Sequence, residues 1–240
     1  MSKPPPIPFA YHVAVGIIRA TLVLVTRKRW SGAENLPDGG FIAASNHMSN
    51  MDALTFGHFL YNHGRPPKYL AKASVFKVPV LGWFAHNSGQ IPVHRGTAQA
   101  ADALHAAEAA LRAGECVGLF PEGTLTKDPN LWPMVAKTGI ARLALATRVP
   151  VIPIAQWGTQ KILPRSTNRL HPFPPQDVWV QAGPPVDLSD LYGVPPDAEV
   201  LREATARVMA RITAMLADIR HETPPAEPYD RGLEEGRGPA

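Results

Sequence analysis

Phe41-Ile42-Ala43-Ala44-Ser45-Asn46-His47-Met48-Ser49-Asn50-Met51-Asp52-Ala53-Leu54-Thr55-Phe56 changes character twice within sixteen residues. The apolar run that opens it reads as a buried strand, and Ala53 onward reads as the first turn of a helix. His47 therefore falls at a strand's end, where an imidazole is accessible to solvent yet held by rigid structure. A carboxylate five residues later can fold back to the ring's other nitrogen. His47 and Asp52 are thus candidates for a general base and its orienter: the carboxylate fixes the tautomer and stabilises the imidazolium formed when the ring takes a proton from a hydroxyl. A His and an Asp at this spacing also arise by chance, and Asp52 stands where a helix cap would.

Downstream, strand-like and helix-like segments alternate, as an α/β chain requires. Residues 68–72 form a lysine-bearing strand that delivers Lys72 toward the same end of a sheet. Residues 75–84 are apolar, interrupted by Pro79, and fit either core or the wall of a lipid-binding groove. Residues 89–95, Gly-Gln-Ile-Pro-Val-His-Arg, finish in Arg95, whose planar fork of donors suits a phosphate. Thr97 can cap the next helix and Gly114 can close it. The strand Val117-Gly118-Leu119-Phe120 runs into Pro121-Glu122-Gly123-Thr124. There a carboxylate, a glycine that admits close backbone approach and a hydroxyl follow a strand end. Such a turn can hold a substrate's polar head, with Glu122 accepting from its hydroxyls. Lys137-Thr138-Gly139 opens a further helix, and residues 149–154 form a strand whose prolines suit an edge or a bulge.

Composition sets the bounds. A chain of 240 residues with 45% hydrophobic content can bury one sizeable core. A formal net charge of +4 suits an anionic membrane surface or a phosphorylated substrate, and nucleic acid is not an expected partner. A single cysteine, Cys116, excludes an intrachain disulfide framework and, lying in an apolar run, reads as buried and inert. Residues 7–26 are largely apolar and end in Arg27-Lys28-Arg29-Trp30. Arg19 near the middle opposes a membrane span, since a central arginine costs about 2.5 to 3.5 kcal/mol. The pattern fits a helix lying in the membrane interface, with the cations on anionic headgroups and Trp30 at the boundary, or a helix packed on the core. Near the other end, Leu201, Ala204, Val208, Ile212, Met215 and Ile219 recur at helical spacing from about Asp197. Prolines, glycines and charges dominate from Thr223, which predicts a disordered tail.

Taken together, four motifs resemble the glycerolipid acyltransferase family, typified by 1-acylglycerol-3-phosphate acyltransferases. They are the His-x4-Asp pair at His47 and Asp52, the Gly-x-Ile-x-x-x-Arg of Gly89, Ile91 and Arg95, the Phe-Pro-Glu-Gly-Thr of residues 120–124 with Lys137 and Gly139 after it, and the proline-containing apolar run 149–154. The resemblance implies transfer of a fatty acyl group from acyl-CoA or an acyl carrier protein to a glycerol hydroxyl, with no cofactor and no metal. It assigns the base to His47, the orienter to Asp52, and the glycerol phosphate to Arg95 and Glu122. Family members often carry an arginine directly after the third motif, where this chain has Leu125; Lys72, Lys127 or Lys137 are the cations that can stand in. The expected fold is α/β, a mixed, mainly parallel sheet flanked by helices. Its expected parts are an N-terminal membrane-interfacial helix over residues 1–28, a catalytic domain over 29–222 and a tail over 223–240. The expected substrate-binding set is Arg95, Glu122, Gly123, Thr124, Lys72 and Lys137. The expected partners are a lysophospholipid acceptor, an acyl thioester and an anionic lipid surface on the cytoplasmic face of the cell membrane. Acylation of a different lysolipid, or a non-catalytic lipid-binding module, are the alternatives. A metal hydrolase built on His47 and Asp52 lacks a further His or Cys at metal-site spacing.

Overall fold

The computed structural model describes residues 9–79, 81–94 and 100–231. Along them run helix α1 (Phe9–Val25), strands β1 (Thr26–Ser31) and β2 (Phe41–Ser45), helix α2 (Asp52–Asn62) and strand β3 (Pro67–Lys72). Then come α3 (Leu81–Asn87), β4 (Ile91–Val93), α4 (Ala100–Arg112), β5 (Cys116–Leu119) and α5 (Gly139–Thr147). The chain continues through β6 (Val151–Trp157), α6 (Thr159–Ile162), β7 (Gln176–Ala182) and α7 (Ala198–Arg220). The strands form one seven-stranded sheet in the order β1-β7-β6-β2-β5-β3-β4. Strands β6, β2, β5, β3 and β4 run parallel, β7 is antiparallel to β6, and β1 runs parallel to β7. The sheet is mixed, mainly parallel and flanked by helices, as expected.

Every residue of β2 is buried because the sheet is covered on both faces. Ile42 and Ala44 point into one core with Leu111, Leu143, Leu201 and Ile212 from α4, α5 and α7. Phe41 and Ala43 point into the other with Leu22 and Val25 of α1 and Phe56, Phe59 and Leu60 of α2. Full burial of each such α2 side chain is worth about 1.5 to 3 kcal/mol, enough to fix the helix that follows the site. Cys116 lies in this second core, where burial pushes its thiol above the ordinary range. The stripe expected on α7 is the face it buries. Asp197 caps that helix, its Oδ1 accepting from the N–H groups of Glu199 and Val200 at 2.9 Å each.

Three expectations change. The N-terminal helix was expected to continue through Lys28, but α1 stops at Val25 and Arg27, Lys28 and Arg29 are strand residues. The reason is tertiary: β1 gains a ladder with β7 from Thr26↔Gln176 to Ser31↔Gln181, and Trp30 packs edge-on against Phe59 at 5.6 Å. Second, β6 is neither edge nor bulge but lies between β2 and β7. Its Pro153 is tolerated because residues alternate in direction along the strand: Ile42 N–H bonds Pro150 O on the β2 side, while Pro153 faces the other side, where β7 has ended at Ala182. Third, the expected tail is ordered in part, since Val135 N–H donates to Tyr229 O at 2.9 Å; residues 232–240 lie outside the described residues. Among the described residues no helix is long and apolar enough to cross a membrane.

Topology positions the site. The five parallel strands all end at one edge of the sheet, the edge where ligands of open α/β sheets bind. Because β7 and β1 run the opposite way, they begin at that same edge. The carboxyl end of α1 and the loop of residues 163–175 before β7 therefore open onto it as well.

Candidate active site

The chain leaves β2 at Ser45, and Asn46 extends the ladder with its side chain. Its Oδ1 accepts from Gln156 N at 2.8 Å and its Nδ2 donates to Gln156 O at 3.1 Å, on neighbouring β6. His47 is thereby pinned two residues beyond a rigid strand. Its own backbone is held from the other neighbour, β5: its N–H donates to Glu122 Oε1 at 2.9 Å, and its carbonyl accepts from Thr126 N–H at 2.6 Å. The imidazole stacks on Phe120, with centroids 4.0 Å apart and planes at 15°. Nδ1 lies 3.0 Å from Asp52 Oδ2. A ring that donates from Nδ1 to a carboxylate keeps a lone pair on Nε2, the nitrogen on the opposite side, and the side chain remains 17% exposed.

Asp52 opens α2, but it does not cap that helix. Its carboxylate turns back over the preceding turn and is fully buried. Oδ2 accepts from Met48 N–H at 2.6 Å and Ser49 N–H at 2.8 Å as well as from the imidazole, and Oδ1 accepts from Thr159 Oγ1 at 2.5 Å. Four donors thus fix both oxygens. Thr159 stands just past β6, after a Gly158 that admits no side chain: its φ is 106°, and a Cβ there would stand 2.1 Å from Asp177 O.

Glu122 is also buried. Its second oxygen, Oε2, accepts from Met134 N–H at 3.1 Å, so the two oxygens serve two backbone N–H groups. Burial pushes its carboxyl up to about 8, against the opposing pull of those same hydrogen bonds. The sequence pointed Glu122 at a substrate hydroxyl, whereas in the structure it ties the β5 turn to His47. Gly123, at φ 72°, lies against the stem of Lys137: a Cβ there would stand 3.4 Å from its Cδ and Cε. Lys137 N–H donates to Pro121 O at 3.0 Å, which brings that lysine to the turn together with Thr124. Lys72 ends β3, exposed at the same sheet edge but two strands from β2, or roughly 10 Å at ordinary strand spacing. Arg95 and Thr97 lie outside the described residues. Among the described residues, no three His, Cys, Asp or Glu side chains come together to hold a metal ion.

Sequence reasoning missed Thr159, Asn46, Gln156 and Met134. Thr159 carried no usable signal, since only the sheet brings it to Asp52. Met134 carried none, because it acts through its backbone.

A family model described as Acyltransferase matches residues 27–157. Among curated proteins, the chain is 38% identical over 140 residues to the chloroplastic 1-acyl-sn-glycerol-3-phosphate acyltransferase BAT2 of Brassica napus, covering 57% of this chain and 39% of that protein. It is 36% identical over 140 residues to the chloroplastic LPAT1 of Arabidopsis thaliana, covering 57% and 38%. Against the 1-acyl-sn-glycerol-3-phosphate acyltransferase of Bacillus subtilis it is 30% identical over 149 residues, covering 62% and 71%. The match thus spans about two-fifths of the length of the plant relatives. Among solved structures, PlsC, the 1-acyl-sn-glycerophosphate acyltransferase of Thermotoga maritima, has the same fold: TM-score 0.69 at 24% identity, covering 89% of this chain and 83% of that one.

Proposed function

The chain belongs to the acyltransferase family, and on that premise we propose that it transfers a fatty acyl group from an acyl thioester to the free hydroxyl of a 1-acylglycerol-3-phosphate. The observation that carries this reading is the His47 imidazole, backed by buried Asp52 and stacked on Phe120. Nε2 takes the proton of the acceptor hydroxyl as its oxygen attacks the thioester carbonyl. The C–S bond then breaks, and the imidazolium returns the proton to the departing thiolate. Asp52 stabilises the imidazolium between these steps. Arg95, two residues after β4 in sequence, is the proposed phosphate anchor, assisted by Lys137 and Lys72; Gly123 and Thr124 form the turn after β5. Glu122 acts here through His47, by holding its main chain.

The proposed site of action is an anionic membrane surface on the cytoplasmic side, with acyl-CoA or an acyl carrier protein as donor. Phe9, Val13, Ile17 and Leu24 of α1 are exposed at spacings of four, four and seven, one face of a helix. Exposed Arg19, Arg27 and Lys28 lie along the same segment, which suits shallow insertion among anionic headgroups.

The test presents purified protein with acyl donor and vesicles containing lysophosphatidate or other lysolipids, and identifies products by mass. Phosphatidic acid should form, and His47→Ala should lower kcat by about 10²- to 10⁴-fold while the folded variant still binds vesicles. A His47→Ala protein with full turnover would sink the assignment. Acylation of no lysolipid by the wild type would instead favour a lipid-binding module.

A further inference from the structure

The loop of residues 163–175 joins α6 to β7 and carries two large apolar side chains in solvent: Leu170 is 60% exposed and Phe173 69%. The loop is anchored directly to the catalytic turn. Ser49 Oγ donates to Leu163 O at 2.8 Å, and Asn50 Nδ2 donates to Asn168 Oδ1 at 3.2 Å, both from the turn between His47 and Asp52. On its other flank Arg165 donates to Asp128 O at 2.9 Å, in the segment that follows the Glu122 turn. Its base is therefore fixed on both sides of the site, while His171 N–H folds back to Ile162 O at 2.7 Å and leaves the apolar tip outward.

The loop leads into β7 beside the end of α1. Gln176, three residues past Phe173, pairs with Thr26, the residue directly after α1, and the last turn of α1 exposes Val23 and Leu24. Exposed apolar side chains of the loop and of the end of α1 thus both lie on the side of the sheet edge where β1 and β7 begin. Exposed Arg169 and His171 flank the loop's apolar residues as Arg19 and Arg27 flank those of α1. We propose that this loop is a second contact with the anionic bilayer, placed so that acceptor lipid passes from the membrane along it to His47. The proposal rests on the membrane acyltransferase reading above. Placement at the same sheet edge as the end of α1 and the basic residues flanking both favour a lipid surface over a protein partner.

Cys116 is buried and is the chain's one cysteine, so a Phe173→Cys variant can be labelled at that position with an environment-sensitive fluorophore. Vesicles of phosphatidylglycerol and phosphatidylcholine should raise and blue-shift its emission, and lipid-borne quenchers should reduce it. Unchanged emission, whether or not the protein sediments with the vesicles, would overturn the proposal; a response to acidic acyl carrier protein in place of vesicles would do so too. In the paired activity measurement, Leu170→Ser with Phe173→Ser should raise the apparent KM for vesicle-borne lysophosphatidate on the order of tenfold. Turnover of a short-chain, monomeric lysophosphatidate should be unchanged. Equal losses on both substrates would mean that the loop only supports the fold. If the wild type acylates neither substrate, the enzymatic reading fails while the fluorescence still decides whether the loop enters the bilayer.

Discussion

Asp52 accepts from four donors in a fully buried position, and their arrangement decides what each substitution does. An asparagine there can present its carbonyl to His47, Met48 and Ser49 and turn its amide to Thr159, whose hydroxyl can accept. Asp52→Asn should therefore keep the imidazole tautomer and lose only the negative charge that stabilises the imidazolium. Its kcat should fall less than that of Asp52→Ala, and equal falls would show that the charge alone matters. Thr159→Val removes the donor on Oδ1 and leaves that oxygen buried without it, at a cost of about 1 to 3 kcal/mol in unfolding free energy. Thr159→Ser should restore both stability and the pH profile of kcat, whereas a stable valine variant with an unaltered profile would contradict this positioning role. His47 and Asp52 were legible in sequence because they share one short turn. Thr159 was not, because only the sheet brings it, more than a hundred residues later, to the carboxylate.

At the scale of elements, the turn after β5 shows a bracing contact that its motif does not announce. Glu122 is invisible as a brace in sequence, because its partners are two backbone N–H groups, at His47 and Met134. Burial raises its carboxyl from 4.5 to about 8, so the folded chain retains a proton that the unfolded chain releases. The stability this contributes is complete below about pH 4.5 and declines as pH rises toward 8, by up to about 1.4 kcal/mol per pH unit. Urea unfolding of Glu122→Gln should be flatter between pH 5 and 8 than that of wild type, and parallel slopes would place the proton elsewhere. Strands β2, β5 and β6 were legible as apolar runs, β3 and β4 as short runs ending in cations, and α7 by its stripe. Strand β1 was not: Arg27-Lys28-Arg29 carry no apolar alternation, and only pairing with β7 makes them a strand. At the opposite end of α7, Arg220 lies between Trp132 and Trp157, at 3.9 Å and 4.3 Å from their rings. That contact ties the helix to the segment that supplies Met134.

For the whole molecule, the parallel strands deliver His47, the Glu122 turn, Lys72 and Thr159 to one edge, and the reversed pair β7 and β1 brings α1 there. The fold class could be read from alternating apolar runs and helical stripes. The common edge could not, since it depends on β1 and on the antiparallel β7. A deletion through residue 28 would remove half of β1 as well as Leu22 and Val25 from the core, so surface changes test the membrane face more cleanly. Ile17→Asp with Leu24→Asp should weaken binding to anionic vesicles roughly tenfold or more and leave the melting temperature near wild type. Sedimentation equal to wild type would place the anchor elsewhere. The dyad that this architecture serves is tested most directly by kcat for His47→Ala, Asp52→Asn and the double variant, measured with one donor and one lysophosphatidate. If His47 is the base and Asp52 acts only through it, the double variant should turn over no more slowly than His47→Ala alone. Losses that multiply would contradict the dyad and leave Asp52 a role independent of the imidazole.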